Sequence, residues 1–117
     1  ILAHEWRDTA QPYRVGPSLV VDAAGKLTSS GRPLADVPLD RWFHVEITCL
    51  LGAQAHGVWD LTLTVPGEPP KQFRALPSGS PQFNRVEWLG FVSLASGETA
   101  FYVDNIKLQL VDDEGDK

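Results

Sequence analysis

A chain of 117 residues with ten basic and fifteen acidic side chains and a formal net charge of −5 has room for one domain built around a single core. Its Lys and Arg are scattered rather than gathered into a stripe, so nucleic acid is a poor partner, because phosphate binding needs clustered cations. No apolar run approaches the roughly 18 residues of a spanning helix, so a soluble chain with no membrane span is expected. The ten Gly and nine Pro mark many short turns and leave little room for long helices. The chain lacks Met and starts at Ile1, which reads as a mature or excised piece of a longer product.

In chain order, His4-Glu5-Trp6-Arg7-Asp8 reads as the remnant of an earlier strand, cut into at the start of the chain. Short strands are expected at residues 13–15, 19–22, 26–28 and 33–37. Asp22-Ala23-Ala24-Gly25-Lys26 reads as a hairpin turn, with Gly25 supplying the positive φ. From 42 to 51, Phe43, Val45, Ile47, Cys49 and Leu51 fall on one phase and His44, Glu46 and Thr48 on the other, the period of a half-buried strand. Cys49 is the lone cysteine; it has no intrachain disulfide partner and reads as a buried, inert thiol.

After the loop at 52–57, Trp59, Leu61, Leu63 and Val65 alternate with Asp60, Thr62 and Thr64, until Pro66-Gly67 turns the chain. The two alternating runs suit an antiparallel hairpin. Further strands are expected at 72–76, 86–93 and 100–111, with 78–81 as a loop. Residues 1–111 form a single β-sandwich domain in this reading, and Asp112-Asp113-Glu114-Gly115-Asp116-Lys117 is a solvated acidic tail. About nine short strands with turns between them make an all-β, antiparallel β-sandwich.

The run Asp40-Arg41-Trp42-Phe43-His44-Val45-Glu46-Ile47, then Trp59-Asp60-Leu61-Thr62-Leu63, then Phe101-Tyr102-Val103-Asp104-Asn105-Ile106 resembles the concanavalin A-like lectin/glucanase superfamily, and is most similar to the laminin G-like jelly rolls of secreted bacterial proteins. The resemblance implies a jelly roll, here a minimal or partial one with an edge left for another segment to cover. It also implies an extracellular or cell-surface setting, and a packing Trp at position 42.

Catalysis is not expected. Glycosidases of this fold carry carboxylates on alternate positions of one strand, whereas Glu5 and Asp8 are three apart, on opposite faces of a strand, and Glu46 and Glu87 are solitary. His4, His44 and His56 have no zinc spacing. His44 and Glu46 share a face that reads as solvated.

Two places remain as sites. Trp88 follows Glu87 and lies out of phase with Leu89 and Phe91, so Trp88 is the aromatic expected to face a ligand, with Glu87 beside it. Asp104 falls on the phase of Tyr102, Ile106, Leu108 and Leu110, where a carboxylate must be paired or cation-bound. Structural calcium, which related sandwiches carry near the closing strand, would be held by Asp104 and Asn105; a bulge at Asn105 that turns Asp104 outward is the alternative. The expected function is a non-catalytic carbohydrate-binding or adhesion module whose partner is a polysaccharide or glycan. The competing reading is a structural spacer that docks neighbouring domains and has no ligand of its own.

Overall fold

A computed structural model of the chain describes residues 2–38 and 41–93, and within them every element but one short turn is a strand. The elements are β1 (Leu2–Arg7), β2 (Val15–Val21), β3 (Lys26–Ser29), β4 (Arg32–Asp36), β5 (His44–Cys49), β6 (Val58–Thr64), β7 (Lys71–Pro77) and β8 (Trp88–Ser93), with a 3-10 turn at Gly52–Gln54. They form a five-stranded sheet in the order β4-β3-β2-β1-β8 and a three-stranded sheet in the order β5-β6-β7. Every pairing is antiparallel, and the two sheets share one hydrophobic core, as the all-β sandwich reading expects. The expected strand at 100–111, with Asp104 and Asn105, lies outside the described residues.

The core follows from the alternation. Trp59, Leu61 and Leu63 on β6 are each 1% exposed, while Asp60, Thr62 and Thr64 between them are only partly covered. The Trp59 indole N–H donates to the Pro77 carbonyl at 3.2 Å, so burying it leaves no unmet donor. From the other sheet Leu19 and Leu27 meet this row, and Val37, Val65 and Leu76 complete it. β5 alternates as expected, with Val45, Ile47 and Cys49 half-buried and His44, Glu46 and Thr48 exposed. Burial pushes the Cys49 thiol up to about 11, so it stays protonated at neutral pH and is a weak nucleophile.

The expected hairpin turn after β2 is present. The Asp22 carboxylate accepts the N–H groups of Ala24 and Lys26, each at 2.9 Å, and Gly25 adopts φ 80°, where a side chain would be strained.

Residues 4–7 belong to β1, which pairs with β2 on one side and with β8 on the other. Two expectations need correction. The strand expected at 13–15 begins only at Val15 and runs on through Pro17. Between Glu5 and Arg7 the register gains one residue on β2, a bulge that accommodates a proline without an N–H to donate. Gly16 in this bulge lies against the buried Phe83 ring, which a Cβ there would meet at 2.4 Å. Finally, Trp42 is not a packing residue but 58% exposed. It precedes β5 on the phase of His44 and Glu46, and Phe43 takes the inward position.

Candidate functional site

The pairing of β1 with β8 sets Arg7 directly opposite Trp88. Cross-strand partners project from the same face, so both side chains stand on the outer surface of the five-stranded sheet. The opposite face of these strands carries His4, Trp6, Leu89 and Phe91. Trp88 remains 40% exposed, as its phase against Leu89 and Phe91 requires. Its indole lies over Gly90, where an added Cβ would come within 2.6 Å of the ring. The bare backbone of Gly90 is what lets the ring lie down along the sheet.

The chain leaving β1 then folds back over Arg7. Asp8 has a side chain only 1% exposed, and its carboxylate accepts the N–H groups of Ala10 at 3.1 Å and Arg14 at 2.7 Å. The Arg14 Nε–H adds a charge-assisted bond of 2.6 Å, and the Asp8 N–H donates to the Arg14 carbonyl at 3.0 Å. These donors, the Arg14 backbone N–H foremost, hold the Asp8 carboxyl below the usual carboxylate range against the opposing effect of desolvation. An Asp at the head of a Pro-containing turn closes that turn with its own side chain.

The closed loop carries Tyr13 over Arg7. The guanidinium carbon of Arg7 is 4.5 Å from the Tyr13 ring centroid and 4.4 Å from that of Trp88, within the range of cation–π attraction. Arg7 Nε–H donates to Glu5 Oε1 at 2.9 Å. A shallow groove of about 260 Å³ runs between Trp88, Arg7, Tyr13 and residues 8–11.

Glu87 stands at its rim, exposed. Its N–H donates to the Arg7 carbonyl at 2.9 Å, and its Oε1 accepts the Thr9 N–H at 3.2 Å. The two ligand-facing residues expected from the sequence, Trp88 and Glu87, thus lie at one place. Arg7 and Tyr13 join them without having been singled out, because a cross-strand register and a loop closure bring them there. The signal available for them was Asp8 ahead of Gln11-Pro12, the mark of a self-capped turn.

On the inner face of the same two strands His4 occupies a fixed tautomer. Its Nδ1 lies 2.9 Å from the Gly90 carbonyl, which can only accept, and its Nε2 lies 3.1 Å from the Trp6 indole N–H, which can only donate. Nδ1 therefore carries the proton and the ring is neutral. Burial lowers its pKa, against the raising influence of the Gly90 bond and the Glu5 charge. The ring also stacks on Phe91, with centroids 4.4 Å apart.

A second basin of about 190 Å³ lies on the outer face of the three-stranded sheet among Thr48, Asp60, Thr62, Gln72 and Arg74. Its carboxylate serves the fold. Asp60 Oδ1 accepts the Ala75 N–H at 2.9 Å, where β7 gains a residue in register and Ala75 takes φ 57°. Among the described residues no cluster of three or more His, Cys, Asp or Glu side chains is placed to hold a metal. The calcium ligands expected from the sequence, Asp104 and Asn105, lie outside those residues. No helix among the described residues is long and apolar enough to cross a membrane.

No family model, curated protein or solved structure matches this chain.

Proposed function

We propose that this β-sandwich is a non-catalytic carbohydrate-binding or adhesion module of a larger secreted or cell-surface protein, and that it holds its glycan in the groove beside Trp88. The observation that carries this reading is the exposed, oriented indole of Trp88, next to a pinned guanidinium and a second exposed ring, Tyr13 at 49%. A sugar presents C–H faces that stack on aromatic surface and hydroxyls that need both donors and acceptors. Flat rings with a charged donor and a rim carboxylate supply those three kinds of contact. The concanavalin A-like, laminin G-like jelly roll and a structural calcium at Asp104 and Asn105 belong to the same proposal.

The spacer reading draws on a different observation: Arg7 and Glu87 already have partners within the chain. The two readings part on one experiment, a glycan array probed with the wild type and with Trp88→Ala, alongside urea unfolding of both. A binding module loses glycan binding in the variant and about 1 kcal/mol or less of stability, the size of an exposed cation–π contact. A spacer binds no glycan, and its variant shows a change in stability alone.

A further inference from the structure

Resting on that reading, we infer that the groove is built for uncharged saccharides and discriminates against uronates and other anionic sugars. The argument starts with the donors left on Arg7. Its guanidinium carbon lies over two aromatic rings and its Nε–H is taken by Glu5. The Nη edge carries no hydrogen bond to the described residues and is the part that can meet a ligand, while the Arg7 charge is already balanced by the Glu5 carboxylate at 2.9 Å.

The surroundings add negative charge rather than positive. Among the described residues around the groove, Glu5 pairs with Arg7, Asp8 pairs with Arg14, and the Glu87 carboxylate bonds only the Thr9 N–H, an excess of one negative charge in a chain of net −5. Asp8 is firmly ionised, since its donors favour the charged form. An anionic sugar drawn to the Nη edge competes with Glu5 for the same guanidinium and approaches Glu87 with like charge.

Hydrogen-bond inventory points the same way. A carboxylate on the ligand only accepts, and has nothing to give the second oxygen of Glu87, which carries no hydrogen bond from the described residues. A C6 hydroxyl can accept from Arg7 Nη and donate to Glu87 at once, whereas the carboxylate that replaces it in a uronate loses the donor. Donor edge, acceptor rim and aromatic flank together suit a ligand that is amphiprotic and uncharged.

The test uses matched pairs: oligosaccharides of glucose, galactose and mannose, each beside the counterpart in which the C6 hydroxymethyl groups are oxidised to carboxylate. Calorimetric titration at low salt, where like-charge repulsion is least screened, is expected to show a neutral member bound roughly tenfold more tightly than its uronate. Glu87→Gln should narrow that gap by improving the uronate, since it removes a charge and keeps the shape. A uronate bound as tightly as its neutral partner, or a gap untouched by Glu87→Gln, overturns the inference and leaves the carbohydrate reading standing. Binding of neither member of any pair, with a negative glycan array, overturns both.

Discussion

The three-stranded sheet and the β1–β8 end of the five-stranded sheet solve the packing problem in different ways. On β6 every inward residue is apolar and, after Val58, every outward one is polar, and the inward row is almost fully buried. On β1 and β8 both faces mix apolar and polar groups. His4 and Trp6 bond to one another on one face, and Arg7 lies over the rings of Tyr13 and Trp88 on the other. A strand that buries hydrocarbon has one requirement, that its phase be kept. A strand pair that builds a groove has a second requirement, that specific polar groups be aimed, and the alternation of apolar residues does not encode it.

The largest effect separating the two regions should come from Leu61→Ala at the centre of β6. This removes a side chain 1% exposed from a close-packed row and should cost about 2 to 5 kcal/mol in urea unfolding. Ile47→Ala on the half-buried inward face of β5 should cost less, about 1 to 2 kcal/mol, because less apolar area returns to water. Equal losses at the two positions would contradict the burial difference between the strands.

A pair of glycines sharpens the contrast. A Cβ at Gly16 would meet the Phe83 ring at 2.4 Å, and one at Gly90 would meet the Trp88 ring at 2.6 Å. Phe83 is 2% exposed and cannot move aside, whereas Trp88 is 40% exposed and can. Gly16→Ala should therefore lose about 1 to 3 kcal/mol of stability, as overpacked cores do. Gly90→Ala should unfold close to the wild-type midpoint while lifting the indole and weakening glycan binding. Chemical denaturation and calorimetric titration of the two variants check both halves.

The inner face of the β1–β8 end should show a smaller, pH-dependent effect. Burial holds the folded-state pKa of His4 below the ordinary 6.5, so the unfolded chain binds more protons in the window between the two values. Stability from this residue is complete above about pH 6.5, falls as the pH drops through that window, and levels off once the folded ring is also protonated. Protonation of Nε2 removes the acceptor for the Trp6 indole. Thermal unfolding from about pH 7.5 down to about pH 5 should show this decline in the wild type and a shallower one in His4→Phe.

The smallest effect is expected at the surface pair Lys26–Asp36. It is short, at 2.7 Å, but its side chains are 56% and 75% exposed. Water and salt screen such a pair, and Asp36→Asn should leave the unfolding midpoint at physiological salt within the scatter of replicate measurements.

These differences also explain what the sequence made legible. The two alternating runs, the Asp22–Gly25 turn and the outward phase of Trp88 each depend on neighbours in sequence, and local order carries them. At Trp42 the resemblance, which implies a packing residue, conflicts with the alternation, which puts position 42 on the solvent side with His44, and the alternation prevails. The Tyr13–Arg7–Trp88 stack was not legible, since its members come from β1, a loop and β8. Only the antiparallel register and the Asp8–Arg14 closure bring them into contact. Glu87 was legible only through its adjacency to Trp88, and its bond to Thr9 depends on the same closure.

The central claim, that Trp88 is held open for a glycan, can be read from the protein's own fluorescence. Trp6 and Trp59 are buried, at 8% and 1% exposure, while Trp42 and Trp88 are open. A Trp42→Phe variant therefore leaves Trp88 as the tryptophan that acrylamide can reach. Acrylamide quenching of this variant, measured with and without saturating neutral oligosaccharide, should fall when the sugar is present, because the sugar covers the indole. Quenching that stays the same while calorimetry shows the oligosaccharide bound would place the ligand elsewhere and contradict the account.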